Sequence, residues 1–550
     1  MAVRGGPAAV AIAAGSFYAI HLDRPGFFDN EGRYADVARH MLHSGDWITP
    51  RLDDTLFLNK PPLLYWLTSS VFFAFGRTEW ARVISVAAIA LTLFATARLA
   101  AVLYGERTGL WAGLFAASTL GLMLEARTLR PDSLLLASVT VGLWCWQEAL
   151  RADQSRRTRW LCGLYVALGC GVLAKGLVPI VLVAPIVISL TWAQSGWDGL
   201  RRLRPLLGTG IIAALVLPWH VAVAWQHPGF AWDYLVNQHL LFFLDKKLPR
   251  DSEGDALWFF WTAFGARALP WILLVPLAGV RGNRLPWTWI AVVLGVFSLA
   301  PSRLEHYALP ALPAVALLAA RGAERLQHGD VRRAGWWLLQ TFGWVVVAAA
   351  ALLVLQGERA LRGADWIAQA PAMAALAQPA GIVLGLLGTT VAITAAARQA
   401  RALLAALGLG TVAMGVVVVQ ALIAGEPLFS WRPIAAAIDA QLPTTTPIVF
   451  ESPEEYQLVG GLSYYLDRHV TLLEFPNFVP PTYLEQHFRS MFLPRDRFAE
   501  RWQSNELLAF VSDPQRQRDT PEGLVPGPFH VVTHLGDRWV LTNTPQPAAR

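Results

Sequence analysis

The residues of this chain that are able to do chemistry stand at the edges of long apolar runs. Asp29 and Glu31 lie in Phe27-Phe-Asp-Asn-Glu-Gly-Arg-Tyr34, with Arg33 and Tyr34 directly after them. Lys60 precedes Pro61-Pro62. Arg130 and Asp132 stand together, Lys175 interrupts an apolar stretch, His239 follows a further one, and Arg303, Glu305 and His306 open another. A charge beside an apolar segment is costly unless it is paired or faces a wet cavity, so such residues point to function. Taken singly, each is equally well a snorkelling interfacial charge. For Asp29 and Glu31 the ordinary explanation is compensation of a helix N-terminus. Together they suit chemistry on a phosphorylated lipid. Lys and Arg neutralise a phosphate leaving group, and a carboxylate activates an acceptor hydroxyl. Apolar helices accommodate the tail.

The elements that must position these groups are membrane helices. Of the 550 residues, 55% are hydrophobic and only 15% charged, against roughly 25% charged in soluble domains. A span needs roughly 20 apolar residues, and about thirteen such runs are present, at 7–22, 80–103, 108–124, 131–150, 160–174, 176–194, 206–226, 258–280, 285–300, 306–321, 335–356, 378–396 and 401–423. The first ends without a small-residue cleavage site and reads as a retained helix. Residues 61–75 are apolar but short, and read as re-entrant or interfacial. With the N-terminus in the cytoplasm, every even-numbered connection carries arginine: Arg107, then Arg151 to Arg159, Arg201 to Arg204, Arg281 and Arg284, Arg321 to Arg333, and Arg398 with Arg401. That is the positive-inside pattern, and it puts the candidate residues on the other face. The net charge of +6 is thereby loop charge rather than a nucleic-acid surface. The three cysteines lie in apolar runs without metal-ligand spacing.

Two soluble segments remain. The long first external connection, 23–79, contains a pattern with Tyr34, Ala35, Val37, Ala38, Met41 and Leu42 on one side, predicting an amphipathic helix on the membrane surface. From about Phe429, short β-like runs at 447–450, 470–474, 507–511 and 529–533 predict a small α/β domain. The expected division is 1–425 for the membrane domain and 426–550 for the soluble one, the latter periplasmic.

The motif from Asp29 through Asn30-Glu31-Gly32-Arg33-Tyr34 to Thr49-Pro50-Arg51, followed by Asn59-Lys-Pro-Pro-Leu-Leu-Tyr-Trp66, closely resembles the bacterial aminoarabinose transferases. These are protein mannosyltransferase-like membrane glycosyltransferases. Leu129-Arg-Pro-Asp132, Leu173-Ala-Lys-Gly176, Pro218-Trp219, Asn237-Gln-His239 and Arg303-Leu-Glu-His-Tyr307 extend the resemblance over roughly residues 25 to 315. It implies a C-type glycosyltransferase fold: an α-helical polytopic membrane protein, juxtamembrane helices in the first external loop and an external C-terminal α/β domain.

It also implies an undecaprenyl-phosphate-linked sugar donor, and lipid A or another envelope glycan, lipid or protein as acceptor, at the bacterial inner membrane. By position, Lys60 resembles the donor-phosphate lysine, with Arg130 and Lys175 as further phosphate ligands. Asp29 or Glu31 resembles the catalytic carboxylate, with Asp132 a further external acid. Arg33, Tyr34, His239, Arg303, Glu305 and His306 are expected to line the cavity. No metal site is assigned. The related enzymes' Glu-Lys-Pro is Asn59-Lys60-Pro61 here, which removes an acid able to hold a divalent cation, so such a cofactor stays open. The competing class is a lipid or glycan transporter, which would show repeated halves around a midplane site; the sequence shows no internal repeat.

Overall fold

In this computed structural model, the described residues are 5–248, 254–282, 284–363, 370–451, 457, 459–475, 479–484, 488–512, 520–536 and 538–545. Each apolar run named above contains a helix. Among the described residues, seven helices are long and apolar enough to cross a membrane, or eight if the pair Leu257–Arg267 and Trp271–Ala278, bent by 90°, is one span. Others are shorter, such as Gly6–Tyr18 and Arg284–Leu299. The chain is thus a multi-pass helical membrane protein. Val83–Tyr104 packs on Pro131–Arg151, their first turns joined by Ser133 and Ser85 at 3.1 Å, and Pro131–Arg151 packs on Gln154–Lys175 across a short turn. Leu312–His328 is enclosed on nearly all sides, with Ala311 to Ala320 buried.

The first external connection folds as helix α1 (Asp29–Ser44), the two-residue strands β1 (Arg51–Leu52) and β2 (Thr55–Leu56), and helix α2 (Leu63–Phe75). Helix α2 has 13 residues, about 20 Å, too short to span. The expectation that α1 lays its apolar face on the membrane is corrected here. Ala35, Val37, Ala38 and Met41 are fully buried, covered by α2 and by a helix of the C-terminal domain, α3 (Val459–Leu466). An amphipathic stripe fits a protein surface as well as a bilayer.

Beyond the last long helix, Ala400–Ala424, lies a six-stranded sheet in the order β5-β4-β3-β6-β8-β7. Its strands are β3 (Ile448–Glu451), β4 (Thr471–Leu473), β5 (Phe492–Leu493), β6 (Ala509–Val511), β7 (His530–Leu535) and β8 (Arg538–Thr542). Strands β3 to β6 pair in parallel, and β8 joins β6 and β7 antiparallel. The four β-like runs correspond to β3, β4, β6 and β7, while β5 and β8 were not read.

The domain grips the first connection closely. A Cβ placed on Gly32 would lie 2.4 Å from the Gly461 Cα, so α1 and α3 touch backbone to backbone. Around this contact Asp36, fully buried, accepts from Arg39, Ser463 and the Asp53 N–H. Arg39 reaches on to Asp467 at 2.9 Å. Tyr483 donates to Asn59 at 2.7 Å, and Glu79 receives both Arg432 and Tyr465.

Candidate active site

The site is assembled where one end of the helix bundle meets the first connection. Helix Pro131–Arg151 begins with proline, whose missing N–H costs nothing at that position, and places Asp132 in its first turn. Helix Gln154–Lys175 ends on Lys175, and Gly176 turns the chain at φ +70°. Only glycine suits that backbone, and a Cβ there would also meet the His239 ring 2.9 Å away. Lys175 donates to Asp132, and both are nearly buried. His306 Nε2 lies 4.0 Å from the same Asp132 oxygen, and its Nδ1 lies 3.6 Å from Glu305. Arg267, at the bend between Leu257–Arg267 and Trp271–Ala278, binds Glu305 at 2.7 Å. Arg130 binds Glu125 at 2.6 Å. The Lys175 ammonium sits over the Tyr307 ring, 4.9 Å from its centre.

Acids and cations thus alternate: Glu125, Arg130, Asp132, Lys175, with His306, Glu305 and Arg267 closing the group. A buried charge is tolerated only when paired and hydrogen-bonded, and each of these has an opposite partner. Glu125 and Arg267 were missed in the sequence. The signal was available, since Arg267 is a lone charge inside an apolar run and Glu125 stands directly at the end of another.

His239 and Lys60 join from the side. Residues Asp233–Leu241 wind with the wide π-type turn, a geometry frequent at functional sites. The His239 Nδ1 faces the Tyr234 carbonyl at 2.5 Å, and its Nε2 accepts the Leu177 N–H at 3.2 Å. Burial holds His239 below the usual histidine range, and nearby Lys60 adds to this, against the pull of the Tyr234 carbonyl. The ring is therefore neutral at neutral pH, with Nδ1 carrying the proton. Lys60 is half-buried between β2 and α2. Lys60 is near enough to His239 to act on it electrostatically, and His239 in turn holds the Leu177 N–H of the turn that follows Lys175.

Other candidates lie elsewhere. Glu31 is fully buried, and both its oxygens are occupied. Arg82 grips them at 2.8 and 2.7 Å. The N–H groups of Leu129 and Phe28 donate at 2.7 and 3.0 Å. Arg82 itself also reaches the Leu22, Pro25 and Gly26 carbonyls. Glu31 is thus a brace tying α1 to the bundle. The Asp29 side chain lies outside the described residues; its backbone opens α1. Arg33 reaches Gln457 at 2.6 Å and Asn30, so it points to the C-terminal domain. Tyr34 packs on Tyr65. Arg303 holds the Asp255 and Ser298 carbonyls.

Among the described residues one group has converging metal-ligand atoms, Asp53, Asp54 and His469, all within 4.8 Å. It stands apart from the charged cluster. His469 Nδ1 is already 2.8 Å from Asp53, which also accepts the Val470 N–H. The hydrogen bond to Asp53 raises the His469 pKa above its usual value. An ion-paired link between the β1–β2 hairpin and the domain explains the group.

The family profile described as dolichyl-phosphate-mannose-protein mannosyltransferase matches residues 59–222. An undecaprenyl phosphate-alpha-4-amino-4-deoxy-L-arabinose arabinosyl transferase of Aeromonas salmonicida is 31% identical over 64% of this chain and 66% of its own length. The protein of the same description from Pseudomonas aeruginosa PAO1 is 31% identical over 63% and 64% respectively. The matched part therefore falls just short of two thirds of these relatives. The crystal structure of ArnT from Cupriavidus metallidurans bound to undecaprenyl phosphate superposes with a TM-score of 0.80 at 22% identity, covering 98% of this chain and 99% of that one. At that identity it establishes the fold, C-terminal sheet included.

Proposed function

We propose that this chain, an aminoarabinose transferase-like and protein mannosyltransferase-like membrane protein by sequence and fold, is an inverting-type glycosyltransferase. It takes a sugar from an undecaprenyl-phosphate-linked donor and passes it to an envelope acceptor such as lipid A. The observation that carries this reading is the gathering of Lys60, His239, Lys175, Asp132 and Arg130 at one end of an apolar bundle. Lys60 and Lys175 supply the charge that a departing lipid phosphate needs, and Arg130 adds a guanidinium held ready by Glu125. Asp132 keeps Lys175 and His306 in place. Glu31 being fully engaged, Asp29, the first residue of α1, takes the role of base and receives the acceptor proton.

The finer topology belongs to the same reading. The shorter helices complete about thirteen crossings, with the N-terminus cytoplasmic and residues 426–550 on the periplasmic side of a bacterial inner membrane. Positive-inside arginines support that orientation.

The test is lipid mass spectrometry of membranes from cells with and without the chain. One hexose- or aminosugar-sized increment on an envelope glycolipid should depend on it. A strain lacking the chain whose glycolipids and glycans are unchanged in mass would reject the assignment.

A further inference from the structure

A polar cavity lies at the opposite end of the bundle from the charged cluster. Helix Val83–Tyr104 starts beside Arg82 and Glu31 and runs 22 residues, about 33 Å, to the turn carrying Arg107. Leu312–His328 likewise leads from beside His306 to His328. Between these ends and the start of the helix Ala400–Ala424 is a cavity of about 710 Å³. Arg107, His328, Arg398 and Arg401 line it, with Gln327 and Trp336, and no carboxylate is among the lining residues.

The charges there are unusually unopposed. Arg107 donates to the neutral Gln327 side chain at 3.1 Å. Among the described residues, Arg398 and Arg401 make no ion pair. The acids nearest in sequence are Glu106, Glu324 and Asp330; Arg98 takes the first at 3.5 Å, and Arg321 takes the second. Asp330 is exposed and outside the lining. The helix that begins at Ala400 has no side-chain cap, so its first N–H groups add to the positive end. The Gln327 Nε2 is buried without a partner. Trp336 is buried in the wall, and the next residue, Trp337, is 66% exposed, as aromatic side chains at a membrane–water interface are.

We propose that this cavity binds a phosphate-bearing anionic group, and that the group is the headgroup of an anionic phospholipid. Guanidinium forks and helix N–H groups both match phosphate oxygens, and basic pockets between membrane helices bind such headgroups. The site is independent of the transferase reading, being separated from it by the thickness of the bundle.

Native mass spectrometry of the full chain in detergent tests this, with phosphatidylglycerol or phosphatidylcholine added. Wild type should retain phosphatidylglycerol in preference. Each arginine near an anionic surface contributes about fivefold, so R398Q/R401Q should weaken retention about 25-fold. R398K/R401K should keep most of it, and guards against a Gln variant that fails to fold. R156Q, at another arginine-rich turn, should change nothing. Binding of millimolar inorganic phosphate that R398Q/R401Q abolishes, with no preference for phosphatidylglycerol over phosphatidylcholine, would uphold the phosphate site but overturn the anionic lipid as its occupant. Equal retention by wild type and R398Q/R401Q, or an equal loss in R156Q, would overturn the site itself.

Discussion

Glu31 and Arg82 form the most deeply enclosed ion pair near the site, and removing one partner separates a structural acid from a catalytic one. Both side chains are essentially inaccessible, at 1% and 2% exposure. In Glu31→Gln the buried guanidinium loses its counter-charge, and one amide oxygen must serve donors that four carboxylate bonds now satisfy. Breaking a buried pair in this way costs about 3–5 kcal/mol. Arg82→Met leaves Glu31 charged and alone and orphans three carbonyls, so it should cost at least as much. The combined variant should lose less than the sum of the two, because neither charge is then stranded. The assay is thermal unfolding in detergent, alongside turnover of protein that remains folded at low temperature. Melting should fall sharply in both single variants while folded Glu31→Gln keeps substantial turnover. Asp29→Asn should do the reverse, losing turnover by orders of magnitude at an unchanged melting temperature. A Glu31→Gln protein with wild-type melting and no turnover would refute the brace and return Glu31 to the chemistry.

Further expectations follow from the same geometry. Lys60→Ala should abolish transfer in a folded, inserted protein and Lys60→Arg should keep part of it; a Lys60→Met variant with normal turnover would remove the lysine from phosphate binding. Burial raises the Asp36 pKa from 3.8 to about 6, with Arg39 opposing. Protonated Asp36 therefore favours the folded state, fully so below pH 3.8, and this contribution is lost as pH rises through about 6. Asp36→Asn should flatten the dependence of melting temperature on pH across that window, and an unaltered profile would show that Asp36 does not titrate there. A reporter fused after residue 425 should be active only outside the cytoplasm; cytoplasmic activity would invert the topology.

Much of the helical framework was legible because a span is a long, local signal. Each apolar run could be read without its neighbours, and Asp132 and Lys175 stood out as charges against that background. What escaped was set by tertiary contact. The apolar stripe of α1 gave its amphipathicity but not its partner, since Ala35 and Met41 would face lipid or protein alike. Glu31 and Asp29 carry the same charge two residues apart, and the position of Arg82, 51 residues from Glu31 in sequence, is what marks Glu31 as the brace. Arg267 looked like an isolated interruption until the 90° bend brought it to Glu305. Strand β5 has two residues, too few for any periodicity to register.

The clasp between α1 and α3 has a consequence for biosynthesis. Arg39 and Asp467 are 428 positions apart, and at about 5–20 residues per second the ribosome needs roughly 20 to 90 seconds to travel between them. For that interval the first connection keeps α2 but lacks the cover of α3, and Asp36 and Arg39 lack their partners Ser463 and Asp467. A nascent chain cut short before Val459 carries every helix of the bundle, yet its α1 has no α3 to close on. Synthesis of the segment from Val459 onward is therefore what turns an inserted bundle into one with a fixed first connection.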